Sequence, residues 1–104
     1  MKATVERGNH EREFVFKRED GKEITIYFRG RKYQRYFSFP KKTITIYSWK
    51  PVMGEEQTTF LNLVDEISGE TYPIRDFIKN LGFRWNPAQK VWERKMKNER
   101  RGSR

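Results

Sequence analysis

The stretch Pro73–Trp92, PIRDFIKNLGFRWNPAQKVW, carries the most structural information in the chain. A proline in the first helical turn gives up no hydrogen bond. Ile74, Phe77, Ile78 and Leu81 then recur at i, i+3, i+4 and i+7, predicting a helix with one apolar stripe. Arg75, Asp76, Lys79 and Asn80 are left to face water, and Gly82 is a left-handed stop. Beyond it, Phe83–Trp85 and a strand over 91–96 read as a hairpin around Asn86–Lys90, with two tryptophans seven positions apart. Trp85 is expected in the core, and Trp92 in the core or at a groove edge. Arg84, Lys90 and Arg94 lie between and beside these rings, as cations do where unpaired bases stack along a phosphate backbone.

Upstream, the apolar residues alternate with period two. Phe14 and Phe16 share one side of a first strand. Glu19-Asp20-Gly21-Lys22 has the Asp-Gly signature of a tight hairpin turn, and Ile24–Arg29 follows as a second strand. Gly30-Arg31-Lys32 reads as another turn, Gln34–Phe39 as a third strand ended by Pro40, and Thr43–Trp49 as a fourth. Thr59–Ile67 is expected to be a further strand, and residues 1–12 a frayed lead-in. If Ile24, Ile26, Ile44, Ile46, Phe37 and Phe39 face the helix with Phe14 and Phe16, the opposite face gathers Tyr27, Arg29, Tyr36, Tyr47 and Trp49. Arg31, Lys32, Arg35 and Lys50 then lie at its margins.

The expected fold class is α+β: an antiparallel, twisted sheet of five to seven strands, with one main helix packed on one face. Partial curling of the first four strands into a barrel is the alternative. With 104 residues the chain is one domain, 1–95, followed by a flexible basic tail, 96–104.

The formal net charge is +9, which favours a nucleic acid or another polyanion as partner. Charged residues make up 36% of the chain, a profile like that of hyperthermophile proteins, where surface ion-pair networks help. No cysteine is present, so disulfides and thiolate metal sites are excluded. No apolar run has the length of a membrane span, and the N-terminus lacks a signal-peptide core, so a cytoplasmic protein is expected. Catalytic motifs are missing too. His10 has no companion ligand, Asp20 sits in a turn, Asp76 on the wet side of the helix, and Asp65-Glu66 are neighbours that would point apart on a strand. No cofactor, metal or small-molecule substrate is expected.

Two segments also resemble a known arrangement. TTFLNLVDEI, 58–67, and YPIRDFIKNLGFRWNPAQKVWER, 72–94, resemble the strand–helix–hairpin module found in and beside primases and other DNA-handling proteins. Leu61, Asn62, Leu63, Leu81, Gly82, Arg84, Trp85, Asn86, Lys90 and Trp92 fall on its signature positions. Size, charge and the helix–tryptophan region are similar to the ThermoDBP-like single-stranded-DNA-binding proteins of hyperthermophilic archaea. The resemblance covers about residues 59–95 and implies nucleic-acid handling.

The expected function is therefore non-enzymatic binding of single-stranded DNA or RNA with little sequence preference. Tyr27, Tyr36, Tyr47, Trp49 and Trp92 would be the ring contacts. Arg29, Arg31, Lys32, Arg35, Lys50, Arg84, Lys90 and Arg94 would be the phosphate contacts. Two alternatives stand beside it: recognition of structured RNA or duplex by charge and shape, and a protein-interaction module whose aromatic face joins a homodimer or another partner.

Overall fold

A computed structural model describes residues 1–95. The expected tail, 96–104, lies outside the described residues. Seven strands form one sheet: β1 (Lys2–Arg7), β2 (Glu13–Arg18), β3 (Glu23–Ser38), β4 (Lys41–Val52), β5 (Glu66–Gly69), β6 (Arg84–Asn86) and β7 (Val91–Glu93). Two short helices, α1 (Glu55–Asn62) and α2 (Arg75–Asn80), complete the fold, with a 3-10 turn at Tyr72–Ile74 leading into the second. The strand order is β4-β3-β2-β1-β5-β7-β6. The class is α+β with a curled, mixed sheet, because β1 runs parallel to β5 while every other pairing is antiparallel.

Three expectations are corrected. First, 59–67 is not one strand, since α1 takes its first four residues and only Glu66 and Ile67 belong to β5. Gly54 donates its N–H to Gln57 Oε1 at 2.8 Å, half of a capping box, and Glu55 and Glu56 favour the positive helix start. Phe60, Leu61 and Val64 are buried at i, i+1 and i+4, a helical spacing, while Leu63 is exposed. Second, the lead-in contains the central strand β1, whose Ala3 and Val5 are buried between β2 and β5. Two small apolar residues give a weak period, and the parallel partner lies far along the chain. Third, the single covering helix is replaced by two short ones. Phe60, Leu61 and Val64 from the α1 region join Ile74, Phe77 and Ile78 from the α2 region in a core with Phe14, Phe16, Ile26 and Phe28. Phe28 meets Phe14 edge-on at 5.5 Å and Phe77 at 5.3 Å.

The expected turn at Gly30 is also absent. β3 runs through it without a break, and its register against β4 stays constant from Tyr27↔Val52 to Ser38↔Lys41. Gly30 serves close approach instead. Its φ is +136°, and a Cβ there would collide with the Ser48 carbonyl oxygen on β4. Gly30→Ala should lower stability by at least about 2 kcal/mol, read as a fall in the urea midpoint, because strain and collision act together. Pro51 sits inside β4, which is tolerable because β4 is an edge strand.

The Asp20 turn carries a second anchor. Arg18 Nη2 and Nε donate to the Asp20 carboxylate at 2.6 and 3.0 Å, and Arg18 Nη1 reaches the Phe60 carbonyl at the end of α1. The guanidinium's hydrogen bonds hold the Asp20 carboxyl down at about 2, against an ordinary 3.8. A depressed carboxylate stabilises the fold above its unfolded pKa, and this contribution fades as pH falls through the folded value. The stability difference between the native chain and Asp20→Asn, measured by urea unfolding, should therefore be full above about pH 4 and shrink towards pH 2.

Candidate nucleic-acid interface

β3 and β4 form a long two-stranded arm closed by Phe39-Pro40. Every residue from Arg29 to Ile44 is exposed, so the outer hairpin has left the core behind. From Gly30 to the tip the arm spans about 26 Å at the usual strand rise. Between Ile24 and Gly54 there are seven lysines and arginines and no carboxylate, so the arm concentrates much of the chain's positive charge.

The continuous register assigns the two faces, because directly paired residues share one side. One face carries Tyr27, Arg29, Arg31, Tyr33, Arg35 and Phe37 along β3. Opposite them on β4 stand Val52, Lys50, Ser48, Ile46, Ile44 and Lys42. Rings and cations are thus interleaved along one exposed stripe. Tyr27, Tyr33 and Phe37 are 42%, 49% and 37% exposed, and the Arg35 guanidinium lies 5.9 Å from the Phe37 ring centroid.

The other face holds the remaining predicted rings. Trp49 is buried, packed at 6.2 Å from Phe14 and 4.9 Å from Tyr47, so it belongs to the core. Tyr47 is half-buried beside it, and Tyr36 is exposed farther out. Lys32 shares this side and pairs with Glu11 at 3.6 Å. The expected common face of Tyr27, Tyr36, Tyr47 and Trp49 is therefore not formed. A turn at residues 30–32 would have reset the strand parity, and the uninterrupted strand preserves it. Phe37 and Phe39 are correspondingly exposed rather than core. Arg29, Arg31, Arg35 and Lys50 stay with Tyr27, joined by Tyr33, Phe37 and Lys42, which the sequence reading missed. Running the parity of Ile24, Ile26 and Phe28 straight through Gly30 would have found Tyr33 and Phe37, and Lys42 follows from its pairing with Phe37.

A second concave surface of about 1060 Å³ lies between the 69–75 segment and the final hairpin. Phe83 and Trp92 form its buried floor, and the Trp92 indole N–H donates to the Thr71 hydroxyl at 3.0 Å. Trp85, expected in the core, is 47% exposed at the wall and 5.3 Å from Trp92, because β6 is the opposite edge strand of the sheet. Tyr72 is 60% exposed under the Arg75 guanidinium, 4.2 Å from its ring. Arg7, Lys79 and Arg84 add three more cations, against one carboxylate among the described residues, that of Glu70.

Two further predicted contacts have other places. Arg94 is turned inward: it donates from Nε to the Val64 carbonyl, from Nη1 to Leu81 and from Nη2 to Leu61, with its guanidinium 4.4 Å from the Phe83 ring. Burial pushes its pKa down, and Asp65 opposes that. It ties the ends of α1 and α2 to β7, so its predicted phosphate role is replaced by a structural one. Lys90 is exposed in a left-handed conformation, φ 60°, at the end of a loop whose Asn86 side-chain oxygen accepts from Ala88 and Gln89 N–H. It does not line the groove.

Among the described residues no group of three His, Asp or Glu side chains is placed to hold a metal ion, and no helix is long and apolar enough to cross a membrane. Residues 68–103 match a family described as a domain of unknown function, DUF8626. That segment supplies all of the groove lining except Arg7. No curated protein and no solved structure matches the chain.

Proposed function

We propose that this chain is a non-enzymatic binder of single-stranded nucleic acid, DNA or RNA, with little sequence preference, and that it binds along the Tyr27–Phe37 face of the arm. One observation carries the reading: exposed rings are interleaved with cations along a strand of the arm whose own stretch, 24–54, contains no carboxylate, with Glu11 and Glu13 near only the root of the arm. Each base can stack on a ring whatever its identity, and each guanidinium can meet a phosphate, so affinity needs no base-edge readout. A face of this kind gains little from small neutral ligands.

The arm's tip favours one other reading. Phe39 is 94% exposed, beside Pro40 and Lys41-Lys42. A two-stranded ribbon can enter a duplex groove, and apolar tips can wedge between base steps. The reading of this face as a homodimer or partner interface rests on the same rings.

Labelled dT and rU oligomers, competed against a duplex of equal length at two salt concentrations, separate these readings. Preference for the single strand, with a log–log salt slope of roughly −0.7 per phosphate contacted, supports the first. Preference for the duplex that is lost in Phe39→Ala moves the assignment to the second. No binding, together with a stable dimer in sedimentation, leaves the partner interface.

A further inference from the structure

The geometry points to a second seat, separate from the arm: the groove between the 69–75 segment and the final hairpin takes one nucleotide unit of a bound strand. The base would lie against Trp85 and Tyr72, with phosphate on the surrounding cations. This deepens the single-strand reading and rests on it.

Two rings set the shape of the seat. A half-exposed tryptophan, Trp85, and an exposed tyrosine, Tyr72, face the same concavity, over a floor fixed by the Trp92–Thr71 hydrogen bond. Such walls suit a flat, partly apolar group, and the volume is at the upper end of the roughly 300–1000 Å³ range of ligand pockets. Charge narrows the choice further. Among the described residues, Arg7, Arg75, Lys79 and Arg84 surround the groove against Glu70 alone. An apolar helix seated there would have to strip water from four cations without repaying them, which is costly. An acidic peptide would satisfy the cations and leave the flat ring faces unused. A nucleotide uses both, and its base N–H groups can donate to the Glu70 carboxylate. Tyr72 also meets Tyr47 at 6.1 Å, so the groove opens beside the root of the arm.

The test follows the indole N–H signals of the ¹⁵N-labelled chain on adding an oligo-dT of eight nucleotides, and separately thymidine 5′-monophosphate at millimolar concentration. The oligomer should shift the Trp85 and Trp92 indoles. An Arg75→Gln/Arg84→Gln variant, altered only at side chains on the groove rim, should bind the oligomer about tenfold more weakly and lose those shifts. Trp85→Ala should weaken binding by a similar factor. If the oligomer binds with both indole signals unmoved and the double variant's affinity within twofold of the native chain, the groove is not a seat and the single-strand reading stands without it. If the oligomer fails to bind but the mononucleotide moves the same two signals, the groove's ligand class is supported and the single-strand reading falls. If neither ligand moves them, the inference is overturned.

Discussion

Replacing Arg29, Arg31 and Arg35 together by Gln should cost this chain roughly a hundredfold in affinity for an oligo-dT at 0.1 M salt. At that concentration, release of counterions makes each single-strand phosphate contact worth about 0.7 of a log unit. Taking three phosphate partners away from one face therefore removes about two log units and lowers the log–log salt slope by about 2. All three side chains are exposed, so the folded body should be unaffected. A matched variant with Lys2, Lys22 and Lys95 changed to Gln has the same net charge but an intact arm, and should lose far less. Equal losses in the two variants would mean that binding follows overall charge rather than a site. Fluorescence anisotropy at four or more salt concentrations gives both the affinity and the slope.

The second large effect falls on stability. Arg94→Ala should lower the unfolding free energy by about 2–4 kcal/mol and the melting temperature by more than about 10 °C. One guanidinium serves the carbonyls of Leu61, Val64 and Leu81, and truncation leaves all three without that donor. The positive charge also sits where two helices end, which favours it further. Arg94→Lys should recover little, since a single ammonium cannot span three divergent carbonyls as the planar fork does. If Arg94 were instead a phosphate contact, its alanine variant would melt with the native chain and bind oligomer more weakly. Thermal unfolding followed by circular dichroism decides between these.

Arg84 and Arg94 look alike in sequence. Both flank the hairpin tryptophans, yet one faces solvent and the other holds the helices. Nothing local distinguishes them, because Arg94's partners come from segments thirteen to thirty-three residues away. The helix at 74–81 was legible because its apolar stripe, its proline start and its glycine stop agree. The Asp20-Gly21 hairpin was legible for the same reason. α1 left a readable trace in Gly54, Gln57 and the spacing of Phe60, Leu61 and Val64, which strand-like composition obscured. β1 left almost none, since two small apolar residues become a central strand only through a parallel partner 64 positions on.

The arm shows how one local reading spreads. Gly30 beside two cations suggests a turn, and a turn there reverses which rings share a face with Tyr27. Its actual use, admitting the Ser48 carbonyl of the paired strand, depends on β4 and so on tertiary structure. Once β3 is continuous, Tyr33 and Phe37 replace Tyr36 and Trp49 beside Tyr27, and the arginines keep their places. The chemistry of the proposed face survives with different rings. The groove is a further gain of the three-dimensional arrangement, since Arg7 and Tyr72 reach it from segments with no shared pattern.

In the proposed function, stacking on the Tyr27–Phe37 face, and not charge alone, holds the single strand. A Tyr33→Ala/Phe37→Ala variant leaves every cation in place and removes two rings worth about 1–3 kcal/mol each to a stacked base. Measured against an oligo-dT at fixed salt, it should bind at least thirtyfold more weakly than the native chain, with the salt slope unchanged. An affinity within twofold of the native value would rule out stacking on this face as the source of binding.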